Sequence, residues 1–394
     1  MHSRTYRTAI AVIAGSLLSL LAGCAGESKT AKRSVFFPPA PNLPRLQYLT
    51  GISDSTDVEG KKKEFSLIAF RNLTPKKSVL SIIKPSSVAA AAGKLYVTDI
   101  SGQLFIVDLP KKSMEQLKGN RGAGKLRKPV GVTVDRAGFV FVADVGRKEV
   151  LVYNNDGEYL KSVGHGLNMY PTDVAVDDSR LYVLDTKKAV IHIFDPVTSV
   201  FIQDIGNVSD AAKSLSLPTK MSLDKQGVIH VSNAGRGDIT SYDRDGHFLD
   251  SFGKFGDTPG QFARPKGLTA DDNGYLYVVD AGFQNVQVFD ENNRLLTMFG
   301  SADLPVGGMN LPCDITISSE DLPYYQMLAD KDFELSQIIF VANQFGNPKI
   351  SLYGYGKQKG IDYDKAYQQI IQQREHWARK EMQKRNKASS QLTP

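Results

Sequence analysis

Residues 263–300, ARPKGLTADDNGYLYVVDAGFQNVQVFDENNRLLTMFG, decide the fold. Gly267–Ala270, Tyr275–Val279, Val286–Phe289 and Leu295–Phe299 are runs rich in β-branched and aromatic residues. They are parted by the turn formers Asp271-Asp272-Asn273-Gly274, Asp280-Ala281-Gly282 and Asp290-Glu291-Asn292-Asn293. Four short strands in one such stretch predict an antiparallel meander, which leaves two apolar faces uncovered and needs neighbours of its own kind. The chain supplies them. The opening proline recurs at Pro85, Pro129, Pro171, Pro218, Pro265 and Pro312, at spacings of 44, 42, 47, 47 and 47 residues. Inside the repeats an aspartate follows six residues after the proline at Asp135, Asp177, Asp224 and Asp271. The second strand ends in a side-chain acceptor at Asp99, Asp144, Asp185, Asn233, Asp280 and Asn343, and glycine closes the fourth at Gly164, Gly206, Gly253 and Gly300. This periodicity predicts an all-β, six-bladed β-propeller of four-stranded antiparallel blades.

Pro129-Val130-Gly131-Val132 with Val142-Ala143-Asp144, and Pro265-Lys266-Gly267-Leu268 with Val278-Val279-Asp280, carry a family resemblance. At these residues the chain resembles the NHL-repeat propellers, with Pro-x-Gly-Val near the first strand and Val-Ala-Asp at the end of the second. The resemblance covers about Arg45 to Gly356 and departs from the pattern in the first and last repeats. It implies the fold and leaves the activity open, since propellers host unrelated functions.

The sixth repeat offers three strands, Ile315–Ile317, Ile338–Ala342 and Ile350–Tyr353, and no fourth. Leu46–Thr50 reads as a lone strand near the start of the body and is expected to complete that blade, removing two open sheet edges at once. In place of a tight turn, residues 318–337 form an insertion with a helical centre around Tyr324–Ala329, expected to pack through Tyr324, Tyr325 and Met327. Beyond Gly360 a helix is expected from Asp362 to about Lys387, with Tyr363, Tyr367, Ile370 and Trp377 near one side and docking on the propeller through the first three. The domains expected are therefore 1–23 export signal, 24–44 proline-rich tether, 45–356 propeller, and 357–394 basic amphipathic helix and tail.

The export signal rests on Arg4 and Arg7, the apolar run Ala9–Leu21, and Leu21-Ala22-Gly23-Cys24, which matches the bacterial lipobox. That match implies lipidation of Cys24, and Ala25 after it favours the outer over the inner membrane. The formal net charge of +6 is unevenly placed. Residues 357–394 hold nine Lys or Arg against four Asp or Glu, and the propeller is close to neutral. The two cysteines exclude a disulfide framework.

Some NHL-like propellers are lyases that hold a metal with histidines from several blades. Here His165, His192, His230 and His247 fall out of register with one another, so no metal site and no cofactor is expected. The acceptors that end the second strands look like a ligand ring, but one per blade in constant surroundings is what a structural turn needs, and a lactonase-type calcium role is the minor reading. Residues that break the repeat are more informative. Thr172, Asp173, Lys220, Lys266, Cys313 and Asp314 stand just after the anchor prolines and form either a polar binding site at the channel mouth or a salt-bridged plug. Cys313 reads as a buried, unreactive thiol. Arg147, Arg236, Phe283 and Phe345 are placed on the same face, as a partner footprint. The expected function is a membrane-anchored, exported lipoprotein acting as a protein-interaction platform. Lipoproteins of this look resemble NHL proteins found among sets of exported multihaem cytochromes, which makes such cytochromes candidate partners. The alternative is a propeller enzyme of lyase or lactonase type. Nucleic-acid binding, known for eukaryotic NHL propellers, is set aside by export and by the neutral body.

Overall fold

The computed structural model describes residues 34–60 and 78–390, and the side chains of all of these but 374–378, 381 and 383–390. Cys24 with the export signal, Lys61–Lys63 and the short apolar piece Phe65–Phe70 lie outside the described residues.

Of six antiparallel sheets, five carry their four strands in sequence order and the sixth takes its outer strands from the N-terminal end of the body; all six first strands start at the anchor prolines. Each first strand lies against those of two neighbouring blades, and that of blade six lies against that of blade one, so the ring closes. Strand character follows from position. Leu181–Asp185 and Val190–Phe194, the middle strands of blade three, are buried at every residue because neighbouring blades cover both sheet faces. Their sequence is accordingly apolar except for His192 and Asp185, which are buried with the rest. The fourth strand of blade five, Leu295–Phe299, alternates between half-buried and exposed residues until it ends at the buried Phe299, since one of its faces meets solvent.

Ring closure takes place in blade six. Strand β2 (Leu46–Ile52) pairs with the third strand of that blade, Ile350–Gln358, with Leu46 opposite Tyr355 and Ile52 opposite Ile350. The proline-rich stretch departs from the expected extended tether. Its first residues form strand β1 (Val35–Phe37), which pairs with β2 as a fifth strand, and Phe37 and Leu46 are both buried among Tyr277, Phe299 and Tyr353. The folded body thus begins at Val35 rather than Arg45. A short helix α1 (Ser55–Glu59) follows, capped by Asp54 in a reciprocal box with Asp57.

The insertion in blade six holds helix α2 (Leu322–Gln326). Tyr325 is buried against Tyr324 and Phe340, at ring separations of 5.2 and 5.9 Å, whereas Met327, expected to pack, is 75% exposed. Helix α3 (Tyr363–Ser390) docks by its first turns. The Tyr363 hydroxyl donates to the Pro44 carbonyl at 2.6 Å, and the Arg45 guanidinium lies 4.5 Å from the Tyr363 ring and 5.3 Å from that of Tyr367.

The second-strand acceptors do what a structural turn requires. Asp144 accepts the amides of Arg127, Lys128, Gly146 and Arg147 at 2.7–3.0 Å, joining the chain that enters the first strand to the turn that leaves the second. Asp280 repeats this with Ala263, Arg264, Gly282 and Phe283. Blade four has Asn233 because its amide donates to Asp238 at 2.8 Å, where a second carboxylate would be repelled.

Two faces result. Pro129 pairs with Asp144 and Val150 with Val163, so first-strand starts and the turns between second and third strands share one face, here called the proline face. The turns between first and second strands lie on the other.

Leu46→Ala should cost about 3 kcal/mol, because it empties a fully buried site at the closing strand. Loss of residues 25–52 should lower the melting temperature by many degrees, measured by circular dichroism. Unchanged melting in both variants would refute closure through β2.

Candidate functional site

Two residues after each anchor proline the side chains meet at the axis, in the order Ser87, Gly131, Asp173, Lys220, Gly267 and Asp314 around the ring. Lys220 occupies the centre. Its Nζ lies 3.3 Å from Asp173 Oδ1 and 3.0 Å from Asp314 Oδ2, and donates to the Val130 carbonyl at 3.0 Å. Asp314 Oδ2 also accepts from the Ser87 hydroxyl and the Val88 amide, and Asp173 Oδ2 accepts the Met221 amide at 2.9 Å. One lysine therefore draws together groups from blades two, three, four and six, and through Asp314 reaches blade one. The two glycines of the ring are spaces. A Cβ on Gly131 would lie 2.8 Å from Asp173 Oδ1, and one on Gly267 would lie 2.4 Å from the Asp314 Cα.

This is a plug, and its electrostatics are tense. Burial alone would strip the Lys220 ammonium of its proton, but the facing Asp173 and Asp314 carboxylates outweigh it and hold the group charged, well above the ordinary lysine value. One ammonium faces two carboxylates. Burial first, then the charge of Asp314, push the Asp173 carboxyl up to about 6 against the pull of Lys220.

The remaining residues expected at the mouth divide differently. One position after the prolines, side chains stitch neighbouring blades. Ser86 Oγ donates to the Pro129 carbonyl at 2.9 Å and Thr219 Oγ1 to that of Pro265 at 3.2 Å. Thr172 shares a 2.6 Å hydroxyl contact with Thr186, which donates to the Pro218 carbonyl. Cys313 Sγ belongs to this set, 3.4 Å from the carbonyls of Pro85 and Ala342, and burial pushes its thiol up to about 12. Lys266 stays half-buried on the proline face, where burial first and then the nearby Arg264 lower its affinity for a proton. Arg147 and Arg236, placed in the partner footprint, are engaged internally. Arg147 pairs with Glu149 at 2.6 Å and donates to the carbonyls of Ala123 and Lys125, and Arg236 pairs with Asp238 at 2.6 Å and donates to those of Ala211 and Ser214. Phe283 and Phe345 remain exposed.

The open space lies on the opposite face from the one expected. A funnel of about 740 Å³ descends from the turns between first and second strands to Ser87, Asp173 and Asp314 at its floor. Thr133, Ser222, Thr269 and Thr316 line its wall, and Asp135, Asp177, Asp224 and Arg244 stand at its rim. Arg244 is held there by Asp177, which also accepts from Tyr182. Reading only the residues next to each proline misses this funnel; its walls appear when the chain is read four positions after each proline.

His192 is buried in blade three between Asp204, at 2.5 Å from Nδ1, and Asp185, at 3.4 Å from Nε2. Burial opposes its protonation, but the two carboxylates prevail and raise it above the ordinary imidazole value. Among the described residues no group of three or more His, Cys, Asp or Glu is arranged to hold a metal ion.

Lys220→Met should destabilise the fold by about 3–5 kcal/mol, because it leaves two carboxylates buried without a counter-charge. Lys220→Met combined with Asp173→Asn and Asp314→Asn should recover most of that loss in chemical denaturation. Since Asp173 binds its proton more tightly folded than unfolded, stability should fall as pH rises from about 4 to about 6, by roughly 3 kcal/mol, and Asp173→Asn should flatten that slope. A slope unchanged in the variant would refute the assignment. In a Cys24→Ser chain, Cys313 should resist a thiol reagent at pH 8 until the protein unfolds.

No family model matches the chain. Among solved structures it is similar to virginiamycin B lyase from Staphylococcus aureus, at 12% identity over 72% of this chain and 86% of that one, with a TM-score of 0.49. It is also similar to a protein of unknown function from Bacteroides thetaiotaomicron, at 17% identity over 70% of each chain, with a TM-score of 0.52. At this distance the second likeness shows a shared propeller fold and nothing of the chemistry.

Proposed function

We propose that the chain is an exported lipoprotein whose NHL-like propeller serves as a rigid platform for protein partners in the bacterial cell envelope, held to the membrane through Cys24. The observation that carries this reading is the axis. Its charged residues satisfy one another and the residues beside them stitch blade to blade, which leaves the outer surfaces as the working part. Leu21-Ala22-Gly23-Cys24 supports the anchor, and exported multihaem cytochromes are the candidate partners. The funnel supports a second reading, a small polar ligand bound above Asp173 and Asp314, because its volume is that of a ligand pocket.

Cells fed labelled palmitate should label the wild-type chain and not Cys24→Ser, and membranes washed in high salt should retain only the former. Equal retention after the wash would overturn the anchor. Cross-linking in whole cells, followed by detergent extraction, should yield a defined protein complex. A chain recovered alone would overturn the platform.

A further inference from the structure

The propeller is close to neutral in sum, yet its topology sorts the charge. On the proline face, the turns between second and third strands contain no Asp or Glu. The same holds for the residues that flank each anchor proline, two before and one after, while the loops that lead up to the prolines carry exposed Asp210, Asp257 and Asp303 against exposed Lys118, Arg121, Lys125, Lys213 and Lys254. The turns and the flanking residues present Arg127, Lys128, Lys148, Lys187, Lys188 and Arg264, all exposed. The aspartates nearest to them, such as Asp144, Asp185 and Asp280, are fully buried beneath the turns and spent on backbone amides. The six cations have neutral partners or none: Lys148 Nζ donates to Asn168, Lys188 Nζ to the Leu167 carbonyl, and Lys187 lies over the Tyr170 ring at 4.6 Å. Among the described residues none of the six is in ion-pair contact with a carboxylate. The opposite face has the other sign, with Asp135, Asp177, Asp178, Asp224, Asp271 and Asp272 in the turns between first and second strands.

Two further features belong to the basic face. Phe255, Phe283 and Phe345 are 54%, 38% and 53% exposed there, with Phe255 against the Gly237 turn and Phe345 beneath the Lys84 ammonium at 4.9 Å. The direction of the N-terminal chain is the second. Ile52 pairs with Ile350 at the proline face, Leu46 pairs with Tyr355 towards the other, and β1 runs against β2 with Val35 opposite Tyr48 and Phe37 opposite Leu46. The chain therefore enters β1 from the side of the basic face. Cys24 precedes Val35 by a stretch that reaches at most about 40 Å when extended.

We propose that the proline face is a docking surface for an anionic lipid bilayer, on which the propeller lies with its exposed cations at the headgroups and its three phenylalanines at the interface. Its orientation rests on the lipid-anchor reading of Cys24 together with the direction of β1, whose first residue lies towards this face. A cation near an anionic bilayer contributes about 1 kcal/mol, and one anchor alone gains from a second, electrostatic contact. The acidic turns on the far side are repelled by the same surface, so the two faces together select one orientation.

The test uses the mature chain with Cys24→Ser, which has no acyl group, so its outcome is independent of whether Cys24 is lipidated in cells. Co-sedimentation is measured with vesicles of phosphatidylglycerol and phosphatidylcholine, about one part to two, and with phosphatidylcholine alone. The chain should bind the first, progressively less as salt rises, and ignore the second. Lys128→Glu, Lys187→Glu and Lys188→Glu together should weaken binding about a hundredfold or more, each cation contributing roughly fivefold. Arg136→Glu with Lys225→Glu on the opposite face should leave it unchanged, with all variants matched for melting temperature. No binding at low salt overturns the proposal and leaves the face to an acidic protein. Equal loss in the opposite-face variant overturns it too, as does loss only on Arg379→Gln with Lys380→Gln, which would assign the membrane contact to α3.

Discussion

The pairing of β2 with the third strand of blade six is the contact on which the other five blades depend. A blade buries its middle strands only because both neighbours press on it, and this holds for all six only if the last blade has an outer layer and meets the first. Without Leu46–Ile52, the strand Ile350–Gln358 would carry an open edge, and the aromatic cluster of Phe37, Phe299 and Tyr353 would lose a wall. The proline-rich stretch sharpens the point. Val35–Phe37 pair along the outer edge of β2, so part of the expected tether is sheet rather than linker.

Much of this was legible because it is local. Prolines at nearly constant spacing, an acid or amide at each second-strand end, and a sixth repeat short of a strand are one-dimensional signals, and each acts on residues close by or on a sheet edge that demands a partner. The axis was legible only in part. Lys220, Asp173 and Asp314 stood out as breaks in the repeat, but whether they attract a ligand or one another depends on contacts between residues 47 and 94 positions apart. Gly131 and Gly267 look like family pattern in sequence and turn out to be clearance for the plug. The stitching role of Ser86, Thr186, Thr219 and Cys313 was hidden for a similar reason, since each reaches the carbonyl of another blade's proline.

Charge shows the limit of composition more sharply. A near-zero sum over the propeller says nothing about where the charges stand, and a meander assigns alternate turns to opposite faces. Once the strands are in register, Lys187 and Lys188 fall on one side and Asp177 and Asp178 on the other, though fewer than a dozen residues part them in sequence. The partner footprint suffers the reverse correction. Arg147 and Arg236 look free in a turn but fasten the loops that lead into their own blades.

The central lysine has a temporal consequence. Its partners come from blades three and six, and blade six is complete only when the N-terminal strand has returned to it, so the ion pairs with Asp314 form when the ring shuts. Until then the ammonium and both carboxylates are hydrated, and shutting the ring strips that water before the attraction is gained. Opening the ring must reverse the step, parting buried charges before water can reach them. Such a barrier slows both assembly and disassembly, so the propeller resists unravelling for longer than its equilibrium stability alone would grant.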